Sequence, residues 1–459
     1  MNRLNGLKRI NQLNGPPKGG GISWASYCTP PSSLTATAVS ETQIDLTWAD
    51  SNTDEDGFRI YVSTDAINYI EDGTAAADAT TYSVTGLTSG TLYYFKVVAY
   101  KGSAESTASN VSNEVTHSSF SMQSVQSATL SQVVFTYSMY VQGDIWIDWG
   151  NGTIEQLSAG IGLTKTSVYV TNNTTYDIRI YGALYHLNRF KIDNATCIAD
   201  FAGFSKFVEL EELYWRGATI GSTGNFNSLP STLISLTLID LYNSVPGAIS
   251  SFPSGLEYLY CSRIYGLTGD LYELPSGLKW LSLSSFGLAV ITHSINNLPS
   301  GLNYCNLYLR TMIGSISNYP AGLIFLNSAA DTNNSTGSLD DLSKFLKQCT
   351  ISGNNISAVI NRLPSTLTTF NLGSSSASIT ANSEQVPVWA SAVLTMQCAL
   401  STAELDAFLN AWQLTCGTGV KTINLAGSSP YNNQPRSSAS DAAVTDMQTN
   451  HSKTFVFNT

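Results

Sequence analysis

The chain has 459 residues, more than one hydrophobic core usually organises, so several domains are expected. Apolar residues make up 43% of the sequence and charged residues only 12%, so serine, threonine, asparagine and glycine must supply most of the polar surface. The net charge of -11 argues against a nucleic acid or an anionic membrane as the partner of the protein body.

Residues 1–29 predict an anchoring arm. The first twenty positions contain basic residues and no acid, and Leu4-Asn5-Gly6 is echoed by Leu13-Asn14-Gly15 ahead of a proline- and glycine-rich hinge. The side chains expected to dock on another protein are Arg3, Leu4, Leu7, Lys8, Arg9, Ile10 and Leu13. A solvated, disordered tail is the alternative. The arm lacks the apolar core of a secretory signal, and no stretch is apolar enough to span a membrane, so neither signal-directed export nor membrane insertion is expected.

Short alternating runs between residues 30 and 116 predict an antiparallel sandwich. The inward-facing sets are Ile44/Leu46/Trp48, Phe58/Ile60/Val62 and Phe95/Val97/Ala99. Pro31, the run 46–48, the run 57–61 and the run 87–93 resemble a fibronectin type III module. This resemblance implies an immunoglobulin-like sandwich in which Tyr93 is the corner tyrosine.

Residues 117–183 predict a second small β-domain. The run 145–149 alternates in polarity and then turns at Asn151-Gly152, which is a strong hairpin signal, and Ile178 and Ile180 belong to a later strand. The run 148–153 resembles the signature of polycystic-kidney-disease-type sandwich domains, although Asn151 stands where that family usually carries aspartate.

One short phrase organises the second half of the chain. It consists of an apolar residue, a proline, a small residue, a glycine or threonine, and a leucine. Its prolines are Pro230, Pro253, Pro275, Pro299, Pro320 and Pro364. They lie 23, 22, 24, 21 and then 44 residues apart, and 44 is two periods. A period of about 20 to 29 residues marks a leucine-rich-repeat solenoid.

The apolar-x-x-apolar-x-apolar frame after each phrase also identifies repeats without proline, giving eleven candidate turns. Alternate strand residues face inward. The inward sets are Leu187/Phe190/Ile192, Leu210/Leu213/Trp215, Leu233/Leu236/Leu238, Leu256/Leu259/Cys261, Leu278/Leu281/Leu283, Leu302/Cys305/Leu307, Leu323/Leu326/Ser328, Leu346/Cys349/Ile351, Leu367/Phe370/Leu372, Val393/Met396/Cys398 and Val420/Ile423/Leu425. Leu241 and Ile264 stand where a regular leucine-rich repeat carries asparagine, so irregular loop is expected on the opposite side.

The seven cysteines are odd in number and show no paired spacing. Cys261, Cys305, Cys349 and Cys398 occupy inward repeat positions, where a free thiol behaves as a small hydrophobe. Neither disulfides nor a zinc site is expected, and folding in a reducing cytoplasm fits this pattern.

Residues 401–459 predict a C-terminal cap for the repeats. Ser401 and Glu404 have the spacing of a capping box at the start of a helix. The apolar face of this helix comprises Leu405, Phe408, Leu409 and Trp412. A second short helix and a final apolar run at 455–457 follow.

The predicted fold is therefore mainly β. It comprises an arm (1–29), a fibronectin type III-like domain (30–116), a second immunoglobulin-like sandwich (117–183), a leucine-rich-repeat-like β-solenoid (184–400) and a small cap that contains α-helix (401–459).

The residue pattern predicts no enzyme, no cofactor and no metal site. The four histidines are scattered, and no nucleophile elbow or phosphate-binding loop is present. The acidic run 50–57 invites a calcium assignment, but an EF-hand loop that begins at Asn52 would place its bidentate acid at Ser63.

The outward face of the repeat strands is the candidate site. Tyr258, Trp280, Tyr304 and Phe325 occupy one outward position in consecutive repeats, so their rings should stack over roughly 15 Å. A neighbouring row adds the further candidates Tyr214, Tyr260, Asn306 and Asn327. Exposed aromatic rings beside amides bind both carbohydrates and proteins. Three interpretations remain open: binding of an external ligand, a subunit or particle interface, and simple structural stacking.

The basic arm, the sandwiches and the proline-marked repeats together resemble structural proteins of phages that infect Bacteroides-type bacteria. The resemblance implies a non-enzymatic head fibre, capsid decoration protein or tail-associated adhesin, carried on the virion and released by lysis. Its arm would dock on a capsid or other virion protein, and its solenoid would bind a host-surface glycan, mucin or protein. A homo-oligomer is expected, a trimer more than a dimer.

Two rival functions remain. The first is a bacterial cell-surface leucine-rich-repeat adhesin. The second is a polysaccharide-degrading enzyme that carries accessory β-modules.

Overall fold

The computed structural model describes residues 29–125, 131–140, 145–169, 174–193, 197–216, 222–241, 247–264, 267–284, 291–292, 294–352, 355–359, 362–373, 378–380, 393–397, 401–413, 421–424, 436–450 and 453–457. The chain is mainly β and divides into two compact units, residues 1–118 and 119–459, which are described in turn. Among the described residues, no helix has the length and apolar character needed to cross a membrane.

The described residues of the first unit form eight strands. They are β1 (Ser32–Ala38), β2 (Gln43–Ala49), β3 (Gly57–Ser63), β4 (Ile70–Ala76), β5 (Thr81–Thr85), β6 (Leu92–Lys101), β7 (Ala104–Glu105) and β8 (Ser112–Val115). One sheet has the order β1-β2-β5, and the other has the order β4-β3-β6-β7 with β8 also on β6. The inward sets of β2, β3 and β6 are buried between the sheets, so the predicted sandwich is confirmed.

Tyr93 has the contact expected of a corner tyrosine. Its side chain is buried, and its phenol oxygen accepts a hydrogen bond from the backbone N–H of Thr88 at 3.0 Å. This bond ties β6 to the loop that precedes it, and it satisfies a backbone donor that the turn would otherwise leave without a partner.

The second unit begins with six strands. They are β9 (Ser118–Val125), β10 (Ser131–Met139), β11 (Ile145–Asp148), β12 (Ile154–Gln156), β13 (Gly160–Tyr169) and β14 (Thr175–Gly182). β11 and β12 form the predicted antiparallel hairpin. Gly150 and Gly152, with φ of 72° and 88°, supply the left-handed conformations of its turn.

The remaining strands of the second unit run through the repeats to the C-terminus. They are β15 (Leu187–Asp193), β16 (Cys197–Ala199), β17 (Glu212–Arg216), β18 (Ser235–Ile239), β19 (Gly247–Ala248), β20 (Tyr258–Ser262), β21 (Leu267–Asp270), β22 (Trp280–Ser284), β23 (Ile291–Thr292), β24 (Tyr304–Ser315), β25 (Phe325–Ser338), β26 (Gln348–Ser352), β27 (Asn355–Val359), β28 (Thr369–Gly373), β29 (Ser378–Thr380), β30 (Val393–Gln397), β31 (Lys421–Asn424) and β32 (Lys453–Val456).

The segment before the repeats shares both of its sheets with them. β10 pairs antiparallel with β15, which starts the parallel repeat strands, and β9 pairs antiparallel with β16. Among the described residues, one cluster of buried apolar side chains extends from Phe120 to Met447. These residues therefore close the N-terminal end of the repeat core.

The repeat strands pair in parallel with one constant register. Glu212 pairs with Ser235, Ser235 with Tyr258, and Tyr258 with Trp280, and this correspondence continues to Thr369. We call this surface the repeat sheet, formed by β15, β17, β18, β20, β22, β24, β25, β26 and β28. Its inward frame residues from Leu187 to Phe370 are buried wherever their exposure is described.

The proline phrase folds as a turn that leads into each strand. In all six copies the leucine N–H donates to the proline carbonyl at 3.2 Å, as between Leu233 and Pro230. Leu346 makes the same bond to the carbonyl of Ser343, at 3.3 Å, in a repeat that lacks the proline. Proline therefore favours this turn without being required for it.

The expectation of irregular loop on the opposite side is wrong for the described residues. Short 3₁₀ helices recur there, and β19, β21 and β23 add a second parallel ladder. The helices are Phe201–Lys206, Phe226–Ser228, Ile249–Ser251, Leu271–Glu273, Ile316–Asn318 and Leu339–Asp341. Each begins with a buried apolar side chain, which anchors the helix to the core.

Two helices close the C-terminal end. The predicted amphipathic helix is α1 (Thr402–Gln413), and its four apolar residues are at most 2% exposed. The second helix is α2 (Asp441–Asn450), which packs on α1. Asp406 of α1 accepts hydrogen bonds from the Ser437 N–H at 3.1 Å and the Ser440 hydroxyl at 2.6 Å, and these bonds tie the segment before α2 to α1.

The four cysteines whose structure is described, Cys197, Cys261, Cys305 and Cys349, are free and buried. Burial raises the pKa of Cys305 and Cys349 to about 12, so both thiols stay protonated and serve as apolar packing groups.

Candidate ligand-binding surface

The predicted row of rings is present on the outward face of the repeat sheet. Because strands in constant register bring equal positions side by side, Tyr258, Trp280, Tyr304 and Phe325 become neighbours. Their successive ring centroids are 4.1, 4.3 and 4.2 Å apart, and the interplanar angles are 14°, 10° and 5°. We call these four side chains the aromatic ladder.

Stacking determines which part of the ladder can meet a ligand. Each inner ring has a neighbouring ring on both faces, so the half-buried side chains present their edges to solvent. Burial, followed by the nearby Tyr260, raises the pKa of Tyr258 and Tyr304 above the ordinary value. Both phenols therefore keep their protons at neutral pH and can donate hydrogen bonds.

The second row runs beside the ladder. Tyr260 has its ring centroid 6.1 Å from that of Trp280. The Asn306 amide donates to the Ser282 hydroxyl at 2.9 Å, and the Asn327 amide donates to the Asn306 carbonyl oxygen at 2.9 Å. These amides link neighbouring strands, which commits one N–H of each to the sheet.

Tyr214 lies apart from the ladder, at a charged end of the face. The Lys191 ammonium lies 4.3 Å from the centroid of the Tyr214 ring. Burial, followed by the charge of Asp193, raises the pKa of Tyr214. The structure thus places seven of the eight predicted candidates together and leaves Tyr214 in a different electrostatic environment.

The sequence pattern did not indicate the chain of ion pairs at that end of the face. Arg216 bonds to Asp240 at 3.2 Å, and Asp240 also bonds to Arg263. Asp240 and Arg263 follow the last residue of their strands with φ of 63° and 54°. Alignment of these two post-strand positions in successive repeats was the signal that could have revealed the pair.

The predicted anchoring residues lie outside the described residues. They are Arg3, Leu4, Leu7, Lys8, Arg9, Ile10 and Leu13.

Comparison with known proteins identifies one part of the chain. Residues 29–115 match the family model of the fibronectin type III domain, in agreement with the sandwich and its corner tyrosine. Residues 29–115 form a fibronectin type III domain. No curated protein matches the chain.

Three solved structures illustrate this likeness. A titin fragment is 23% identical, with 19% of this chain and 32% of that chain covered, at a TM-score of 0.18, so the chain spans about a third of that fragment. A Fn3-like protein from Clostridium thermocellum is 26% identical, with 19% and 90% covered, at a TM-score of 0.18. The fibronectin type-III domain of human fibronectin type III domain containing protein 3 is 24% identical, with 21% and 92% covered, at a TM-score of 0.19.

Proposed function

We propose that this chain is a non-enzymatic attachment protein. In it, a fibronectin type III domain precedes a leucine-rich-repeat-like solenoid that binds a neutral glycan on a host surface. The aromatic ladder is the observation that carries this proposal. Its rings form a half-exposed strip on the outward face. Rings with a purely structural role could equally be buried, so their exposure favours a binding role.

The chemistry of the strip favours an uncharged, hydroxyl-rich ligand. From Tyr258 to Thr369 the ladder row contains no charged residue, and the neighbouring row offers hydroxyl and amide groups. Because the inner ring faces are covered, a sugar chain would lie across ring edges and hydrogen-bond to the phenols of Tyr258, Tyr260 and Tyr304. Only the two end rings leave an outer face for stacking.

We place this protein in a phage particle, as a head fibre, decoration protein or tail-associated adhesin. Residues 1–29 anchor it to a capsid or other virion protein, and the fibronectin type III domain acts as a spacer. A homo-oligomer, preferably a trimer, suits a fibre on a symmetric particle. This assignment rests on sequence resemblance, and the genes beside the coding sequence test it: capsid and portal genes support it, whereas a secretion locus supports a bacterial surface adhesin.

The binding proposal is tested with a double variant of the full chain, Trp280→Ala with Tyr304→Ala. The matched control is Tyr272→Ala with Phe345→Ala, which removes two aromatic side chains that are 59% and 65% exposed outside the ladder. Binding to host cells and to a panel of neutral polysaccharides should fall more than about ten-fold in the ladder variant and remain unchanged in the control.

Two further readouts separate the competing interpretations. Tyr304→Phe keeps the stack and removes one hydroxyl, so reduced binding by this variant supports hydrogen bonding at the ring edges. Analytical ultracentrifugation of the double variant tests the interface interpretation. Unchanged binding with an altered oligomeric mass would overturn the glycan proposal, and so would release of sugars from the polysaccharides by the native protein.

A further inference from the structure

Three carboxylates of the fibronectin type III domain converge at one end of the sandwich. One ligand oxygen each from Asp50, Glu55 and Asp78 lies within 4.8 Å of the other two. Asp50 directly follows β2, Glu55 lies just before β3, and Asp78 lies in the turn between β4 and β5. The cluster therefore draws on both sheets of the sandwich.

Glu55 supplies a second, independent observation. Its side chain is only 5% exposed, and its Oε1 accepts the backbone N–H of Asp78 at 2.8 Å. The other oxygen, Oε2, is buried and has no hydrogen-bond partner. A buried carboxylate oxygen without a partner is costly, so it points to a cationic ligand at this position.

Two cations of the domain are committed to acids outside the cluster. The Lys101 ammonium pairs with Asp54 at 3.0 Å, and the Arg59 guanidinium pairs with Glu71 at 3.0 Å. The Oδ1 of Asp50 accepts from the Asn52 backbone and side chain, at 3.0 and 3.1 Å, which leaves its Oδ2 available.

We propose that Asp50, Glu55 and Asp78 bind a calcium ion. Calcium takes oxygen ligands at 2.3–2.6 Å, so two of its ligands can lie up to about 5 Å apart, as these do. Water or backbone carbonyls would complete its coordination. The affinity expected of such an extracellular-type module is about 10⁻⁴ to 10⁻³ M. EF-hand spacing could not reveal the site, because Asp78 comes from a separate turn.

The ion would hold the two sheets together where the domain begins. Asn52, which bonds to Asp50, also exchanges two hydrogen bonds with the backbone of Thr29, at 3.0 and 2.8 Å. Calcium would thus fix the loop that holds Thr29, the last residue of the predicted arm. This inference is independent of the proposed glycan binding.

The test uses the full chain after chelator treatment, titrated calorimetrically with CaCl₂ and, separately, with MgCl₂. We expect saturable calcium binding of one ion and a rise in melting temperature. In Asp78→Asn, calcium affinity should fall more than about ten-fold. Asp54→Asn removes a charge from the same loop outside the cluster, and it should bind calcium within about two-fold of the native chain.

The melting temperature without calcium shows whether each variant is folded. Asp78 is exposed, so Asp78→Asn should keep the native melting temperature under these conditions. Glu55→Gln provides a second variant and should also lose the calcium-dependent rise in melting temperature. Absence of saturable calcium binding up to about 10 mM would overturn the proposal. Equal calcium binding by Asp78→Asn and the native chain, or a preference for magnesium, would overturn it as well.

Discussion

One repeat replaces two apolar core residues with a hydrogen-bonded pair, and this exchange can be tested quantitatively. The residue before the proline is Leu or Phe in the other marked copies, but here it is Tyr319. The third frame residue, usually Leu, Ile or Cys, is Ser328. Both are buried, and the Tyr319 phenol donates to the Ser328 hydroxyl at 2.6 Å. The phenol thus extends into the volume that a larger residue at 328 would fill.

The variants have different expected costs. Tyr319→Phe removes one buried hydrogen bond and should lower the free energy of unfolding by about 1–2 kcal/mol. Ser328→Leu adds atoms to a filled core and should cost about 1–3 kcal/mol. Tyr319→Leu should cost about 3 kcal/mol, because it leaves a cavity. Tyr319→Leu with Ser328→Leu restores the pair of residues found in neighbouring repeats. The destabilisation of this double variant should therefore be about 2 kcal/mol smaller than the sum of the destabilisations of the two single variants.

Urea denaturation of the four variants, followed by circular dichroism, measures this coupling. Tyr272→Phe changes an exposed tyrosine and should stay within about 0.5 kcal/mol of the native chain. Burial raises the pKa of Tyr319 well above its ordinary value. The unfolded phenol therefore ionises first, so stability is lost as the pH rises above about 10, and Tyr319→Phe should reduce this loss. Additive costs in the double variant would refute the reasoning.

Three further predictions concern other elements. Burial raises the pKa of Asp406, but hydrogen bonds from Ser437 and neighbouring groups outweigh it and lower the pKa. The ionised Asp406 carboxylate thus stabilises the fold above about pH 4, and this stabilisation is lost in acid. Asp406→Asn should lower the free energy of unfolding by about 1–3 kcal/mol at pH 7 and by little in thermal melts at acid pH. A difference between variant and native chain that does not change with pH would contradict this. Gly150→Ala would place its Cβ 2.4 Å from a backbone oxygen, whereas Gly152→Ala meets open space. In urea denaturation, Gly150→Ala should therefore be about 2 kcal/mol less stable than Gly152→Ala. Equal costs for the two variants would argue against the close contact at Gly150. Tyr93→Phe should lower the free energy of unfolding by about 1 kcal/mol. An unchanged urea midpoint would show that the hydrogen bond of Tyr93 does not stabilise the domain.

The sequence predicted the features that depend on local periodicity. Alternation fixes which side of a strand faces the core, so residues such as Leu236 and Leu281 could be assigned before the structure was known. The aromatic ladder followed from the same frame, because equal positions in parallel repeats become neighbours. Tyr93 was assigned through family resemblance and makes the expected hydrogen bond.

Features that depend on long-range pairing were not predicted. Nothing in the local pattern of residues 131–139 specifies that this strand pairs with β15, because strands pair through backbone groups that all residues share. The approach of Asp78 to Glu55, 23 residues away in the sequence, was not predictable either, because it depends on where the turn between β4 and β5 lies in the folded domain. Both contacts became visible only in the folded structure.

The pairing of β10 with β15 has a consequence for how the chain folds during its synthesis. The ribosome releases the N-terminal side first, so the antiparallel strands around β10 are complete before the repeats emerge. Each marked repeat then adds its strand to a finished edge after only 21–24 residues, which keeps the entropy cost of each loop closure small. We expect ribosome-bound chains that end after β22 to contain a protease-resistant core beginning near residue 119. The same chains without residues 119–182 should be digested, because their first repeat strand would have no template.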